Sequence, residues 1–243
     1  YQRILGSLTH ISKVRHDILV ATSQLGGKRN DPSEHDYGLL ENTLRYVCTT
    51  KKEEQVMRKC PGQPLLSSSM GDASYNTEIG GKSRLGSVHR VMGNIVATVS
   101  NTRAPAIPTS SNGSEIISLS KTCKTAVHIN RIAAWLMRHI DPEYPSLNTP
   151  IPIATDNAGA YKTSEPFYTR SNMLKHIEPK YFLMRQYQID GLIKVIKVKG
   201  GCSDIQEADF FTKHFGMSTF KRKKRLLGIY NPCLLAADTK HTK

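Results

Sequence analysis

Four acidic side chains stand among small or apolar residues, where an isolated charge is costly to bury. They are Asp72, Glu115, Asp156 and Asp209. The surrounding patterns predict a strand for the first, early helix for the second, a strand end for the third and a helix start for the fourth. Carboxylate oxygens are the ligands that Mg²⁺ prefers, so their convergence would create a site for hard divalent cations. Each acid alone is better explained as a cap or loop residue, and only their joint order favours a metal site.

The first 58 residues carry apolar positions at spacings of three and four, which predict three short helices. The third is expected to begin near Asp31–Ser33, because acidic and hydroxyl side chains around Pro32 favour a helix start. A charged stretch that ends in prolines and glycine follows, and we place a linker at residues 59–64. The sequence therefore predicts a small helical segment ahead of a second domain at residues 65–216.

Short apolar runs broken by glycine and asparagine predict strands in this second domain, and longer stripes predict helices. In order, the pattern gives a strand over 65–74, a hairpin over 86–92 and 95–100 with a Gly93–Asn94 turn, a long helix over 110–140, a strand over 151–155, a helix over 156–164, a helix from Pro179, a strand over 193–198 and a last helix from about Gln206. This order predicts an α/β fold, in which helices pack on the faces of a mixed sheet. Residues 217–243 are expected to form a basic C-terminal tail.

The charge balance favours a polyanionic partner. Lys and Arg outnumber Asp and Glu by 34 to 20 in 243 residues, a formal net charge of +14. We expect no membrane association, since no apolar stretch is long enough to span a bilayer and the first residues do not resemble a signal peptide. The five cysteines are scattered and never form a CxxC pair, which argues against a disulfide framework or a zinc site.

Five motifs resemble, in the right order, those of the RNase H domain in copia-type LTR retrotransposon Pol polyproteins. The first motif comprises residues 71–75, which resemble SDASY, and residues 82–88, which resemble the KSxxGxx hairpin that follows it. Of the other four, 110–120 resembles SSTEAEYIALS, 155–160 resembles CDNQSA, 175–178 resembles KHID and 207–213 resembles xADxxTK. Upstream, residues 1–8, 15–18 and 44–47 are similar to the YRxxxGSLxYL, RPDI and LRYL landmarks that follow the polymerase palm. The resemblance extends from Tyr1 to about Gly228.

The resemblance implies a definite fold and activity. We expect an RNase H-like mixed five-stranded sheet flanked by helices, preceded by a helical remnant of the reverse transcriptase thumb or connection. The expected reaction is hydrolysis of the RNA strand of RNA–DNA hybrids, with two Mg²⁺ ions held by Asp72, Glu115, Asp156 and Asp209, where Mn²⁺ can substitute. Asp72 is the implied bridging ligand. The aspartates of the polymerase site are expected upstream of Tyr1, so this chain should not synthesise DNA.

The implied partners are an RNA–DNA hybrid and the reverse transcriptase and integrase portions of the same polyprotein. The implied location is a cytoplasmic virus-like particle, with the nucleus as an alternative. The candidate nucleic-acid-binding residues are Lys82, Arg84, Arg90, Arg103, Asn157, Lys175, His176 and Arg185. A solvated basic face explains each of them about equally well. The basic run 221–225 is left open between a solvated helix face, a nucleic-acid contact and a nuclear import signal.

Several positions depart from the family pattern. Gly113 and Ile116 replace a glutamate and a tyrosine, and residues 214–215 replace a Pro-Leu pair. The loop over 199–206 contains no histidine, which implies slower turnover than in cellular RNases H. None of these changes removes a candidate catalytic carboxylate.

Two alternative functions remain open. The first is a catalytically inactive, degenerate or domesticated module that keeps the fold and binds nucleic acid. The second is a transposase or integrase on the same fold, which fits the closing xADxxTK motif less well. Trp135 and the pair Phe210–Phe211 fall on apolar helix faces, so we expect them in the core.

Overall fold

The computed structural model describes residues 1–58, 67–78, 82–102, 110–143, 150–167, 179–198 and 206–232. The helices are α1 Gln2–Ile11, α2 Leu19–Gly26, α3 Glu34–Thr49, α4 Ser111–Ile140, α5 Ala158–Ser164, α6 Leu183–Ile189 and α7 Met217–Leu226. The strands are β1 Glu54–Gln55, β2 Ser67–Glu78, β3 Lys82–Val91, β4 Asn94–Thr102, β5 Ile151–Thr155, β6 Ile193–Lys197 and β7 Ile229–Tyr230. The chain divides into two compact units, Tyr1–Met57 with His214–Lys243, and Arg58–Lys213. We call them the helical unit and the sheet unit.

The helical unit contains the three predicted N-terminal helices around a small apolar core. Helix α3 begins after Ser33, whose hydroxyl accepts from the backbone N–H of Asp36 while the Asp36 carboxylate accepts from the Ser33 N–H at 2.8 Å. This capping box satisfies two backbone donors at once, and it confirms the predicted helix start. The unit also holds an antiparallel pair of strands, β1 with β7.

A network of buried charges holds the helical unit together. Arg15 donates to both carboxylate oxygens of Asp17, at 2.9 and 2.8 Å, and the Tyr46 hydroxyl donates to the same carboxylate at 2.6 Å. Burial, and then the charge of Asp17, raise the pKa of Tyr46, so its hydroxyl stays a donor. Lys224 of α7 contacts the Tyr46 hydroxyl at 3.1 Å and forms an ion pair with Glu53. The upstream landmarks at 15–18 and 44–47 thus contribute the arginine, the aspartate and the tyrosine of this network.

The basic run lies on a helix with two contrasting sides. Lys221 and Arg222 are exposed, whereas Lys223 and Lys224 are buried. The ammonium of Lys223 lies 5.1 Å from the ring centroid of Phe215, a cation–π contact. The described part of the expected basic tail is therefore α7 and β7 of the helical unit, and a fully solvated helix face is wrong for this run.

The sheet unit contains a mixed five-stranded sheet in the order β4-β3-β2-β5-β6. Strands β2, β3 and β4 pair antiparallel, while β5 runs parallel to both β2 and β6. Met92 and Gly93 join β3 to β4 with φ of 52° and 74°, so the tight turn lies one residue earlier than predicted. A mixed five-stranded sheet flanked by helices confirms the coarse fold prediction.

The long predicted helix is present as α4 and packs against β2. Its first half supplies Ile116, Leu119 and Cys123 to a core shared with Ile153 and Ile193 of the sheet. A Cβ atom on Gly71 would lie 2.4 Å from the Thr122 hydroxyl oxygen, so glycine is what lets α4 approach β2 beside Asp72.

Two predictions differ from the structure, one about the last helix and one about the burial of a tryptophan. The last predicted helix, from about Gln206, is a short 3-10 turn over Glu207–Phe211, and the next α-helix begins at Met217. Phe210 and Phe211 are buried as expected, but Trp135 is 58% exposed on the second half of α4. That half of α4 extends past the core of the sheet, so the apolar residues of its stripe are exposed rather than buried there.

Candidate metal centre

The sheet register brings Asp72 and Asp156 side by side. Asp72 lies in β2, and Asp156 directly follows the last residue of β5. Met70 pairs with Ala154 in the parallel ladder, so two residues further along both strands Asp72 and Asp156 become neighbours. The two acids therefore meet at one end of the central strands, as expected of parallel strands that share a register.

Glu115 reaches the same place from helix α4. Ser110 caps this helix by accepting from the Gly113 N–H at 3.1 Å, which places Glu115 within its first turns. One turn later, the Ser118 hydroxyl donates to the backbone carbonyl of Asp72 at 2.7 Å and ties the helix to β2. Carboxylate oxygens of Asp72, Glu115 and Asp156 all lie within 4.8 Å of one another. We call these three acids the carboxylate cluster.

Asp209 lies near this cluster but is not one of its three members. Its 3-10 turn packs against β3 at Gly86, the residue paired with Asp72. A Cβ on Gly86 would lie 2.6 Å from Thr212 Cγ2 and 3.0 Å from the Ala208 carbonyl oxygen, so glycine allows the turn to approach. The Asp209 carboxylate accepts from Lys213 Nζ at 2.5 Å.

Thr212 and Lys213 complete the surroundings of the acids, and sequence reasoning gave them no role. The Thr212 hydroxyl donates to Oδ2 of Asp72. Burial acts to lower the pKa of Lys213, but the hydrogen bond to Asp209 and the charge of Asp72 raise it above its usual value. Thr212 follows Asp209 by three positions and Lys213 follows it by four, and these spacings place side chains on one side of a helical turn.

Burial and mutual repulsion make Glu115 and Asp72 hard to ionise. Burial, followed by the charges of Asp72 and Asp156, raises the pKa of Glu115 to about 9. Burial is also the main cause that raises the pKa of Asp72, opposed by the hydrogen bond from Thr212. Without a further cation, Glu115 is therefore protonated at neutral pH.

The basic candidates on the hairpin have different surroundings. Lys82 is exposed at the start of β3. Arg84 is only 1% exposed, and its guanidinium donates to Ser100 Oγ at 2.9 Å and Thr102 Oγ1 at 3.1 Å. This burial within the hairpin does not fit the surface contact expected of Arg84. Arg90 forms an ion pair with Glu207 at 2.8 Å.

The remaining candidates are partly explained by local structure. Asn157 caps α5 by accepting from the Ala160 N–H at 2.9 Å. Arg185 donates to the Thr163 carbonyl at 2.8 Å, with its guanidinium 4.8 Å from the Phe182 ring centroid. Arg103, Lys175 and His176 lie outside the described residues, as does the 175–178 motif.

Comparison with known proteins gives a weak but extensive similarity. No family model matches the chain. The chain is 24% identical over 231 residues to the retrovirus-related Pol polyprotein from transposon RE2 of Arabidopsis thaliana, a match that covers 94% of this chain and 15% of that polyprotein. Within the described residues, no helix is both long and apolar enough to cross a membrane. The chain is thus similar, over nearly all of its length, to part of a retrotransposon Pol polyprotein.

Proposed function

We propose that the chain contains the RNase H domain of a copia-type retrotransposon Pol polyprotein and that this domain hydrolyses the RNA strand of RNA–DNA hybrids. The observation that carries this proposal is the meeting of Asp72, Glu115 and Asp156, which are distant in sequence, within 4.8 Å of one another. The motif order, the mixed five-stranded sheet and the similarity to a Pol polyprotein support the same conclusion.

The donor set fits a hard divalent cation. All three side chains offer oxygen, Asp72 and Glu115 are buried, and the ammonium group of Lys213 acts on both. Buried carboxylates at this spacing repel each other, and a divalent cation relieves that repulsion more fully than one ammonium group. Bound Mg²⁺ ions would activate water and stabilise the leaving oxygen of the phosphodiester.

The side chains have separate tasks in this proposal. Asp72, Glu115 and Asp156 hold the ions, and Asp209 completes the donor set from the 3-10 turn. Thr212 orients the Asp72 carboxylate through its hydroxyl. Exposed Lys82 remains a candidate contact to the phosphates of the hybrid, which fix position without reading sequence.

A labelled RNA–DNA hybrid, incubated with the protein and Mg²⁺, tests the proposal. We expect cleavage of the RNA strand into products with 3′-hydroxyl and 5′-phosphate ends, and no cleavage of a DNA duplex. Asp156→Asn should abolish cleavage, because it removes one charge from the cluster while keeping the side-chain shape. Asp31→Asn is the matched control, since Asp31 is exposed in the helical unit.

Unchanged cleavage by Asp156→Asn refutes the role given to that residue. Hybrid binding that survives EDTA, without cleavage in Mg²⁺ or Mn²⁺, identifies instead the inactive nucleic-acid-binding module.

A further inference from the structure

We propose that an open groove between α4 and the β3–β4 hairpin binds a sugar–phosphate segment of a nucleic-acid strand. The groove has a volume of about 310 Å³ and lies entirely within the sheet unit. Helix α4 packs mainly over β2 and less over β3, and β4 lies beyond them at the edge of the sheet. No role in the proposed reaction has been given to this groove.

One wall of the groove is a polar face of α4. Ser118, Lys121 and Thr125 recur at spacings of three and four along this face, and Lys124 lies one turn after Lys121. Lys124 is exposed and Lys121 is half-buried. This wall therefore carries two lysine side chains and the hydroxyl of Thr125.

The floor of the groove is formed by cross-strand pairs of the hairpin. Leu85 pairs with Asn101, and Ser87 pairs with Val99. Asn101 is exposed and offers an amide, while Leu85 and Val99 provide an apolar strip beneath it. A floor of this kind suits the flat, weakly polar faces of a sugar or a base.

The chemistry of the lining favours an anionic ligand that carries hydroxyl groups. Among the residues that the structure describes, those that line the groove include no acidic side chain. Phosphate and sugar hydroxyls match this lining, and both a nucleic-acid strand and a free nucleotide carry them. The formal net charge of +14 favours a nucleic-acid strand over a free nucleotide, because a polyanion gains binding free energy from each cation that contacts it.

The position of the groove also favours a nucleic-acid strand over a free nucleotide. Gly86 lines it and pairs with Asp72 of the carboxylate cluster. Ser118 lines it too, and its hydroxyl donates to the Asp72 carbonyl. The groove thus lies beside the pair of strands that carries Asp72, and a nucleic-acid strand bound at the metal centre would continue into it. This inference rests on the proposed function only in taking nucleic acid as the partner.

Binding of a fluorescent RNA–DNA hybrid in EDTA, measured over a range of salt concentrations, tests the groove without requiring catalysis. The variant is Lys121→Gln/Lys124→Gln. Each lost phosphate contact should lower the slope of log Kd against log salt by about one and weaken binding about tenfold near 0.1 M salt. The matched control is Lys194→Gln/Lys197→Gln, which removes two exposed charges from β6 at the opposite edge of the sheet.

Equal losses in the two double variants would overturn the proposal, because net charge alone would then explain the effect. A second variant, Thr125→Trp, fills the groove without changing charge. It should weaken hybrid binding, whereas Val96→Trp, at an exposed β4 position outside the groove lining, should not. Normal binding by a folded Thr125→Trp protein would likewise refute the proposal.

A mononucleotide distinguishes the two sources of this ligand chemistry. If the lysine variant loses binding of AMP but keeps that of the hybrid, the groove is a small-molecule site and the strand proposal is wrong. Cleavage in Mg²⁺ is measured separately on every variant. Failure of the nuclease proposal appears as no cleavage by the unmodified chain, while failure of the groove proposal appears as hybrid binding insensitive to its variants.

Discussion

Replacing Glu115 by glutamine is expected to stabilise the metal-free protein, and more strongly as the pH rises. Burial and the neighbouring charges of Asp72 and Asp156 raise the pKa of this carboxyl from 4.5 to about 9. Glutamine keeps the shape of the protonated acid, and its amide oxygen can still accept from the Ala73 N–H. The substitution therefore removes only the free-energy cost of protonating Glu115 when the chain folds.

The sign and size follow from linkage. Because its pKa is higher in the folded state, Glu115 contributes stability that is fully present below its unfolded pKa and is lost as the pH rises toward about 9. Between these limits each pH unit removes about 1.4 kcal/mol. Between about pH 6 and about pH 8, the advantage of Glu115→Gln over the unmodified protein should therefore grow by about 3 kcal/mol.

Urea unfolding in EDTA at several pH values measures this difference. The single tryptophan, Trp135, lies on α4, so its fluorescence reports the unfolding of the sheet unit. Glu143→Gln is the matched control, because Glu143 is exposed just beyond the end of α4. Mg²⁺ should stabilise the unmodified protein more than Glu115→Gln, since the variant has lost a charged ligand. Parallel pH profiles for the unmodified protein and Glu115→Gln would refute the electrostatic account of the cluster.

Two further substitutions test contacts that the sequence did not reveal. Thr212→Val removes the hydroxyl that donates to Asp72, and it should weaken divalent-cation affinity about 10- to 100-fold in a calorimetric titration, while Thr212→Ser restores it. An affinity equal to that of the unmodified protein would show that Asp72 needs no such support. Lys224→Met leaves the partly buried Glu53 carboxylate without its closest ion pair. It should lower the free energy of unfolding by about 3 kcal/mol. The control Lys221→Met, on the exposed side of the same helix, should change the free energy of unfolding by less than about 0.5 kcal/mol. Similar losses in the two variants, measured by urea unfolding, would contradict the buried-pair account.

Local patterns predicted the elements that carry the three acids of the carboxylate cluster. The apolar stripe placed the long helix over 110–140, and the structure has it at Ser111–Ile140. The run over 151–155 became β5 with the same bounds. These predictions succeeded because helix caps and strand lengths depend on neighbouring residues, which a sequence displays directly.

The sequence did not reveal which basic side chains are buried, because their burial depends on contacts between residues that are distant in sequence. Lys223 and Lys224 read as two charges in a basic run, but Phe215 and Glu53 receive them inside the helical unit. Arg84 likewise read as a surface cation, although Ser100 and Thr102 of the adjacent strand satisfy its guanidinium. A charged side chain can be buried at low cost only where the fold places partner groups next to it. Strand register and helix packing determine where those partner groups lie.

The carboxylate cluster shows the same dependence on distant contacts, but its electrostatics point away from a merely structural role. Glycine at positions 71 and 86 permits the close approach of α4 and of the 3-10 turn, and both approaches bring acids toward Asp72. In the metal-free fold this convergence is unfavourable, because it raises the pKa of both Glu115 and Asp72. A group of acids needed only for stability would be replaced at little cost by apolar side chains of similar volume. Close packing that gathers mutually repelling carboxylates instead makes sense where a cation binds. Comparing unfolding in Mg²⁺ with unfolding in EDTA, for the unmodified protein and for Glu115→Gln, measures the stabilisation gained from that cation.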